Sequence, residues 1–178
     1  MRLIGLLRTF ISVAIVVVLS AMLSPTSLAA DTPSVEQRLA DLEGREAIRT
    51  LMKQYGRTLD TRDFKAFGAL FAKDGVYVSG GQRVEGPEKI AAMLKGIFAS
   101  NPSGIREPNF HVFFNEVITM TAPGQAKAFS QSAYVAPNEN NTPAMIFFAS
   151  YDDTFVIEDG HWKFKERIVH GDIPAPKK

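Results

Sequence analysis

Asn109–His170 reads NFHVFFNEVITMTAPGQAKAFSQSAYVAPNENNTPAMIFFASYDDTFVIEDGHWKFKERIVH, and along it apolar residues recur with a period of two. The alternation resolves into four long strands, Asn109–Thr121, Gln125–Pro137, Ala144–Glu158 and His161–His170. Ala122-Pro123-Gly124 and Asn138 to Pro143 divide the first three, and Asp159-Gly160 is a two-residue hairpin signal before the fourth. Strands joined by such short connections predict an antiparallel meander.

Upstream, the period is helical. Ser34-x-x-Gln37 has the form of a capping box. Val35, Leu39, Leu42, Ile48, Leu51, Met52, Tyr55 and Leu59 then recur at threes and fours, the spacing of one buried helical face. Gly44 weakens that helix and predicts a division in it. Phe64, Phe67, Leu70 and Phe71 predict a second helix over Thr61–Ala72, ended by Asp74-Gly75. Val76-Tyr77-Val78 and Gln82–Glu85 read as short strands around a Gly80-Gly81 turn. Gly86-Pro87 opens a third helix with Ile90, Met93, Leu94, Ile97 and Phe98 as its stripe, since proline suits the first helical position. A polar loop over Asn101–Pro108 leads into the strands. Helices first and a meander after is an α+β order, not βαβ.

The first thirty of the 178 residues read as an address. Arg2 and Arg8 precede Phe10–Leu23, an apolar run of 14, and Ser27-Leu28-Ala29 supplies small residues at the −3 and −1 positions. That is the layout of a signal peptide, cleaved after Ala29 or Ala30, and it predicts a periplasmic or secreted protein. An uncleaved anchor would be the one contact with a membrane, but the run is short against the ~20 residues a span requires. The remaining residues, 31–178, are the size of one domain, with a core over about 35–170 and a loose tail at 174–178. Without Arg2 and Arg8 there are 18 basic residues against 19 acidic ones, a net charge of −1, which offers no field for nucleic acid. The absence of cysteine excludes disulfides, thiolate zinc sites and a thiol nucleophile. Asn140-Asn141-Thr142 is a formal glycosylation sequon, relevant only in a eukaryotic secretory pathway.

Several motifs in this order carry a family resemblance. They are Tyr55-x4-Asp60-x2-Asp63-Phe64, Ala69-Leu70-Phe71-Ala72-Lys73-Asp74-Gly75-Val76 and Gly86-Pro87-Glu88-Lys89-Ile90. Further on come Phe110-His111 with Asn115, and Asp159-Gly160-His161-Trp162-Lys163-Phe164-x2-Arg167. Over Ile48–Val169 the chain resembles SnoaL-like proteins of the nuclear transport factor 2-like superfamily, and more distantly scytalone dehydratase. The resemblance implies a cone: about three helices in the concave face of a strongly bent, mainly antiparallel sheet, with an apolar pocket open at one end. It also implies a homodimer paired through the sheet.

The same resemblance marks the site. It implies a general base, or its orienting group, at Asp60, and a histidine at the start of a strand, His111. Asp60 could equally cap the second helix, and His111 could be buried for packing. Imidazole titrates near neutrality, so His111 can take a proton from a carbon acid, and a carboxylate beside it would fix its tautomer. Tyr55, one turn before Asp60 on the inner stripe, is the third catalytic candidate, as a phenol polarising a carbonyl or hydroxyl. Phe64, Tyr77, Phe113, Ser130 and Tyr151 are the candidate substrate-binding wall; each aromatic could also be simple packing. The second histidine of scytalone dehydratase is matched here by Ser130, which cannot act as a base near neutral pH, so the two-histidine dehydration does not carry over. Arg167 is expected to be solvated or paired with an acid, Trp162 to cap the core, His161 to be exposed, and His170 to end the last strand, with the pocket mouth open to it. Asp152-Asp153 is a weak metal signal because neighbours on a strand face opposite ways, so no metal or cofactor is expected.

Two functions follow. One is a cofactor-free isomerase, lyase or cyclase moving protons on a small apolar oxygenated molecule. The alternative is non-catalytic binding of a hydrophobic ligand or a protein partner by the same pocket. An approach of Asp60 to His111 beside an open cavity separates them.

Overall fold

A computed structural model of the chain describes residues 32–173; the expected leader and the tail at 174–178 lie outside them. The elements run α1 (Val35–Asp60), α2 (Phe64–Gly68), β1 (Phe71–Ser79), β2 (Gln82–Glu85), α3 (Pro87–Ser100), β3 (Phe110–Ala122), β4 (Gln125–Pro137), β5 (Pro143–Glu158) and β6 (His161–Ile173). One six-stranded sheet has the order β2-β1-β6-β5-β4-β3. Strands β3 to β6 form the antiparallel meander read from the alternation, while β1 joins β6 in parallel. The helices pack against one face of this open sheet, giving the α+β order read from the sequence and the cone that the family resemblance implied.

Ser34 caps α1, its side chain accepting from Gln37 N. The helix runs unbroken through Gly44, against the expected division. A Cβ at that position would come 2.9 Å from Met120 Cε and 3.3 Å from Trp162, so the glycine admits those side chains instead of ending the helix. The apolar stripe is only partly buried. Val35, Leu39 and Leu42 are exposed, and burial of the face begins at Gly44 and Ile48.

The second helix is much shorter than its apolar spacing predicts. Asp63 caps it, accepting from Ala66 N at 2.9 Å, but the chain leaves helix at Gly68. Phe164 N donates to Leu70 O, and Phe71 pairs with Phe164, so sheet pairing captures the residues that would have formed the last turn. Gly75, read as a helix stop, instead sits in an irregularity of β1 between Phe71 and Val76. A Cβ there would lie 2.8 Å from Ala72 O and 2.9 Å from Phe164 O, which only glycine avoids.

The core joins the inner face of α1 to the inner face of the sheet, with Ile48, Tyr55, Leu59, Phe67, Phe155 and Phe164 each almost wholly buried. Burying side chains of this size contributes about 1.5–3 kcal/mol each. Among the described residues no helix is long and apolar enough to cross a membrane.

Candidate active site

Because Asp63 caps α2, Asp60 at the end of α1 is free to face β3. Its carboxylate accepts the backbone N–H of His111 at 3.1–3.2 Å, and its Oδ1 lies 2.6 Å from His111 Nδ1. The two side chains are only 15% and 11% exposed. A carboxylate accepts and cannot donate, so it assigns the ring proton to Nδ1 and leaves the Nε2 lone pair available. The imidazole packs 4.6 Å from the ring of Tyr134, its cross-strand partner.

His111 forms part of the wall of a cavity of about 550 Å³ between α1, α3 and the inner face of the sheet. Leu59, Leu94, Ile97, Phe98, Phe147 and Val169 give it an apolar lining. Four hydroxyls on its wall form two hydrogen-bonded pairs: those of Tyr55 and Tyr77 are 3.2 Å apart, and Ser132 Oγ is 2.9 Å from the Tyr151 hydroxyl. Each pair holds two O–H hydrogens and uses one internally, so each retains a donor for a ligand. Burial, the dominant cause, raises all three phenols: Tyr77 is pushed up to about 12, and Tyr55 and Tyr151 also rise. They are therefore neutral donors throughout the physiological range.

Behind the tyrosines, Arg167 and Asp153 form a fully buried bidentate pair, Nε to Oδ1 at 2.8 Å and Nη2 to Oδ2 at 2.7 Å. The guanidinium carbon lies 4.0 Å from the ring centre of Tyr55 and 4.5 Å from that of Tyr151. Of the two outcomes expected for Arg167, pairing with an acid holds and solvation does not. Burial works against the arginine's charge, but Asp153 outweighs it and holds Arg167 ionised. At the cavity mouth, Arg62 donates to Glu107 Oε1 at 2.9 Å and to Asn109 Oδ1 at 3.2 Å, and stacks on Phe98 at 4.2 Å. The two arginines beside the cavity are thus each paired with a carboxylate, while the Asp60 carboxylate faces the neutral imidazole of His111. Among the described residues no three His, Cys, Asp or Glu side chains are grouped to hold a metal.

The family description of the SnoaL-like domain matches residues 40–168, a span that includes Tyr55, Asp60, His111, Ser132, Tyr151 and Arg167. The chain belongs to the SnoaL-like domain family. Comparison with curated proteins found no match. A nuclear transport factor 2-like protein of cystatin-like fold from Novosphingobium aromaticivorans is 25% identical, with a TM-score of 0.68 over 86% of this chain and 94% of its own. A candidate scytalone dehydratase from the same organism is 23% identical, with a TM-score of 0.64 over 76% and 89%. A hexachlorocyclohexane dehydrochlorinase from Novosphingobium barchaimii is 18% identical, with a TM-score of 0.63 over 76% and 90%.

In this SnoaL-like domain the residues singled out from the sequence separate into two groups. Tyr55, Tyr77, His111 and Tyr151 line one cavity, with Asp60 holding the imidazole. Phe64, Phe113 and Ser130 do not line it. Phe64 packs on Phe98, 5.8 Å between ring centres, because the short α2 turns it toward α3. Phe113 borders a separate crevice with His111. Ser130 is wholly buried and its hydroxyl has no partner; Ser132, two residues along the same face, reaches the cavity instead. His170 points to the outer face, where Nε2 lies 2.9 Å from Asp152 Oδ2, and it takes no part in the mouth. Asp152 is exposed and Asp153 buried, as strand alternation requires. His161 is exposed, and Trp162 packs against the core at Gly44.

Sequence reasoning missed Ser132 and Arg62. Ser132 shares its phase with Ser130, so the alternation marked both alike. Arg62 has a backbone φ of +61°, a conformation rare for a non-glycine residue, and the sequence carried no sign of it.

Proposed function

We propose that this SnoaL-like protein is a cofactor-free acid–base catalyst, an isomerase or lyase acting on a small, neutral, apolar molecule that bears a carbonyl or related oxygen. The reading is carried by one observation: the Asp60–His111 bond of 2.6 Å in the wall of an open cavity furnished with neutral phenol donors. A passive carrier needs no oriented imidazole, so the same bond weighs against the binding-only alternative.

In the proposed cycle the Nε2 lone pair of His111 takes a proton from carbon α to the carbonyl. The electrons of that C–H bond move to the oxygen, which accepts a hydrogen bond from the Tyr55–Tyr77 or the Ser132–Tyr151 pair. Asp60 stabilises the imidazolium formed meanwhile. Return of the proton at another carbon completes an isomerisation; loss of a β-substituent with its bonding electrons completes an elimination. The fold neighbours named for a dehydratase and a dehydrochlorinase lend the second outcome an analogy at the level of fold only. With Arg62 and Arg167 already paired to Glu107 and Asp153, an anionic substrate would meet no spare cation on the cavity wall, which favours a neutral one.

The signal-like first thirty residues support an exported protein, testable by N-terminal sequencing of the secreted form. Exposed Phe110, Val112, Val117, Phe129 and Met145 on the outer sheet face support a homodimer, testable by analytical ultracentrifugation. The catalytic reading is tested by incubating the purified protein with a panel of cyclic ketones and β-substituted carbonyl compounds in D₂O. Deuterium entering the α carbon with wild type, and not with His111→Ala, is the expected result. Incorporation that persists in His111→Ala would rule out this base.

A further inference from the structure

His111 is reached from two sides. One is the large cavity; the other is a crevice of about 170 Å³ lined by Arg49, Met52, Lys53, His111, Phe113 and Glu116. At its inner end α1 touches β3 through Gly56, where a Cβ would come 3.0 Å from His111 Cβ and 3.2 Å from Phe113. One to two turns earlier along α1, at Lys53 and Arg49, the side chains bound the opening. On β3 the matching irregularity is a register shift between Phe114 and Val117, with Asn115 at φ +54°. Arg49 Nε and Glu116 Oε1, 3.5 Å apart and both part-exposed, give the outer end a charged rim.

We infer that this crevice is a second opening to His111, through which the imidazole exchanges its proton with water while the main cavity is filled. The inference rests on His111 being the base proposed above. A ligand large enough to occupy the cavity screens the imidazole from solvent on that side. After an elimination the base is left as imidazolium, and the proton must leave before the next turnover. Through the crevice it passes to water, giving hydronium and the neutral ring, while Asp60 keeps the Nδ1 proton in place. Proton transfer then need not wait for product release.

Exchange of the His111 Cε1 hydrogen for deuterium in D₂O, followed by NMR, reads water access without any substrate. Lys53→Trp with Glu116→Trp fills the crevice from two exposed positions and removes one charge of each sign, which leaves the net charge unchanged. Ile97→Trp with Ile146→Trp narrows the cavity mouth and stands in for a bound ligand. Exchange should fall by about tenfold in the crevice-filled protein and persist in the mouth-narrowed one, because access would otherwise need a local opening. A fall of less than about twofold on filling the crevice, or loss of exchange on narrowing the mouth, overturns the proposal. Lys53→Trp alone serves if the double variant fails to fold. Since the readout involves no turnover, its failure leaves the catalytic reading to its own deuterium test.

Discussion

Asp60 Oδ1 lies 2.6 Å from His111 Nδ1 and the same carboxylate accepts the His111 backbone N–H, so one side chain at the end of α1 fixes both the ring and the start of β3. The double attachment brings together residues separated by 51 positions of sequence. It also means that the tautomer of His111 depends on a group that can only accept.

Asp60→Asn reverses that arrangement. The amide oxygen can still accept from the backbone N–H, but its NH₂ then faces Nδ1 and moves the ring proton to Nε2, the nitrogen needed as base. Nitrogen-15 NMR should report Nδ1–H in wild type and Nε2–H in the variant. Turnover of a substrate found by the D₂O panel should fall by about 10²–10⁴-fold. An unchanged tautomer and rate would remove Asp60 from the mechanism.

Ser130 and Ser132 should separate cleanly. The Ser130 hydroxyl is buried without a partner, so Ser130→Ala should be neutral or stabilising by about 1 kcal/mol, read by urea unfolding. Ser132→Ala deprives the Tyr151 hydroxyl of its partner, 2.9 Å away, and should cost about 1–2 kcal/mol. The ranking reverses if Ser130, as the sequence suggested, is the residue in the pocket.

The Arg167–Asp153 pair is wholly buried, and removing either partner strands the other's charge. Asp153→Leu or Arg167→Met should each cost about 3–5 kcal/mol, while the two together should recover much of the loss. Thermal unfolding of the three variants checks this. Additive losses in the double variant would contradict it.

Alkali should unfold the protein through its tyrosines. All four phenols, Tyr55, Tyr77, Tyr134 and Tyr151, are raised, chiefly by burial. A group whose folded pKa is raised stabilises the fold fully below its unfolded value, near 10 for tyrosine, and that contribution is lost as pH climbs through the folded value. For Tyr77 the window runs from about 10 to about 12. Tyrosinate absorbance should therefore stay low near pH 10 and rise together with loss of circular dichroism. Tyr77→Phe should flatten the fall in stability over that window. Ordinary titration of phenols in a still-folded protein would refute the burial argument.

Much of the fold was legible because its signals are local. Alternation along Asn109–His170, the Asp159-Gly160 turn, the Ser34 cap and Pro87 each act within a few residues and need no partner elsewhere. The second helix failed for the opposite reason. Phe64, Phe67, Leu70 and Phe71 have helical spacing, yet a bond from Phe164 N to Leu70 O, made across 94 residues, draws the chain into the sheet.

The site divides along the same line. Asp60, His111 and Tyr55 were marked by family motifs and by their phases on a helix and a strand. Those phases say which face a residue occupies, and not how deep it lies once the sheet is bent. Ser130 and Ser132 share a face, yet one lies in the core and the other at the cavity. Sequence alone determined an α+β chain with its catalytic candidates on inward faces. Tertiary structure decided which of them meet, because hydrogen bonding between Asp60 and His111 acts over less than 3 Å while no periodicity encodes distance between elements.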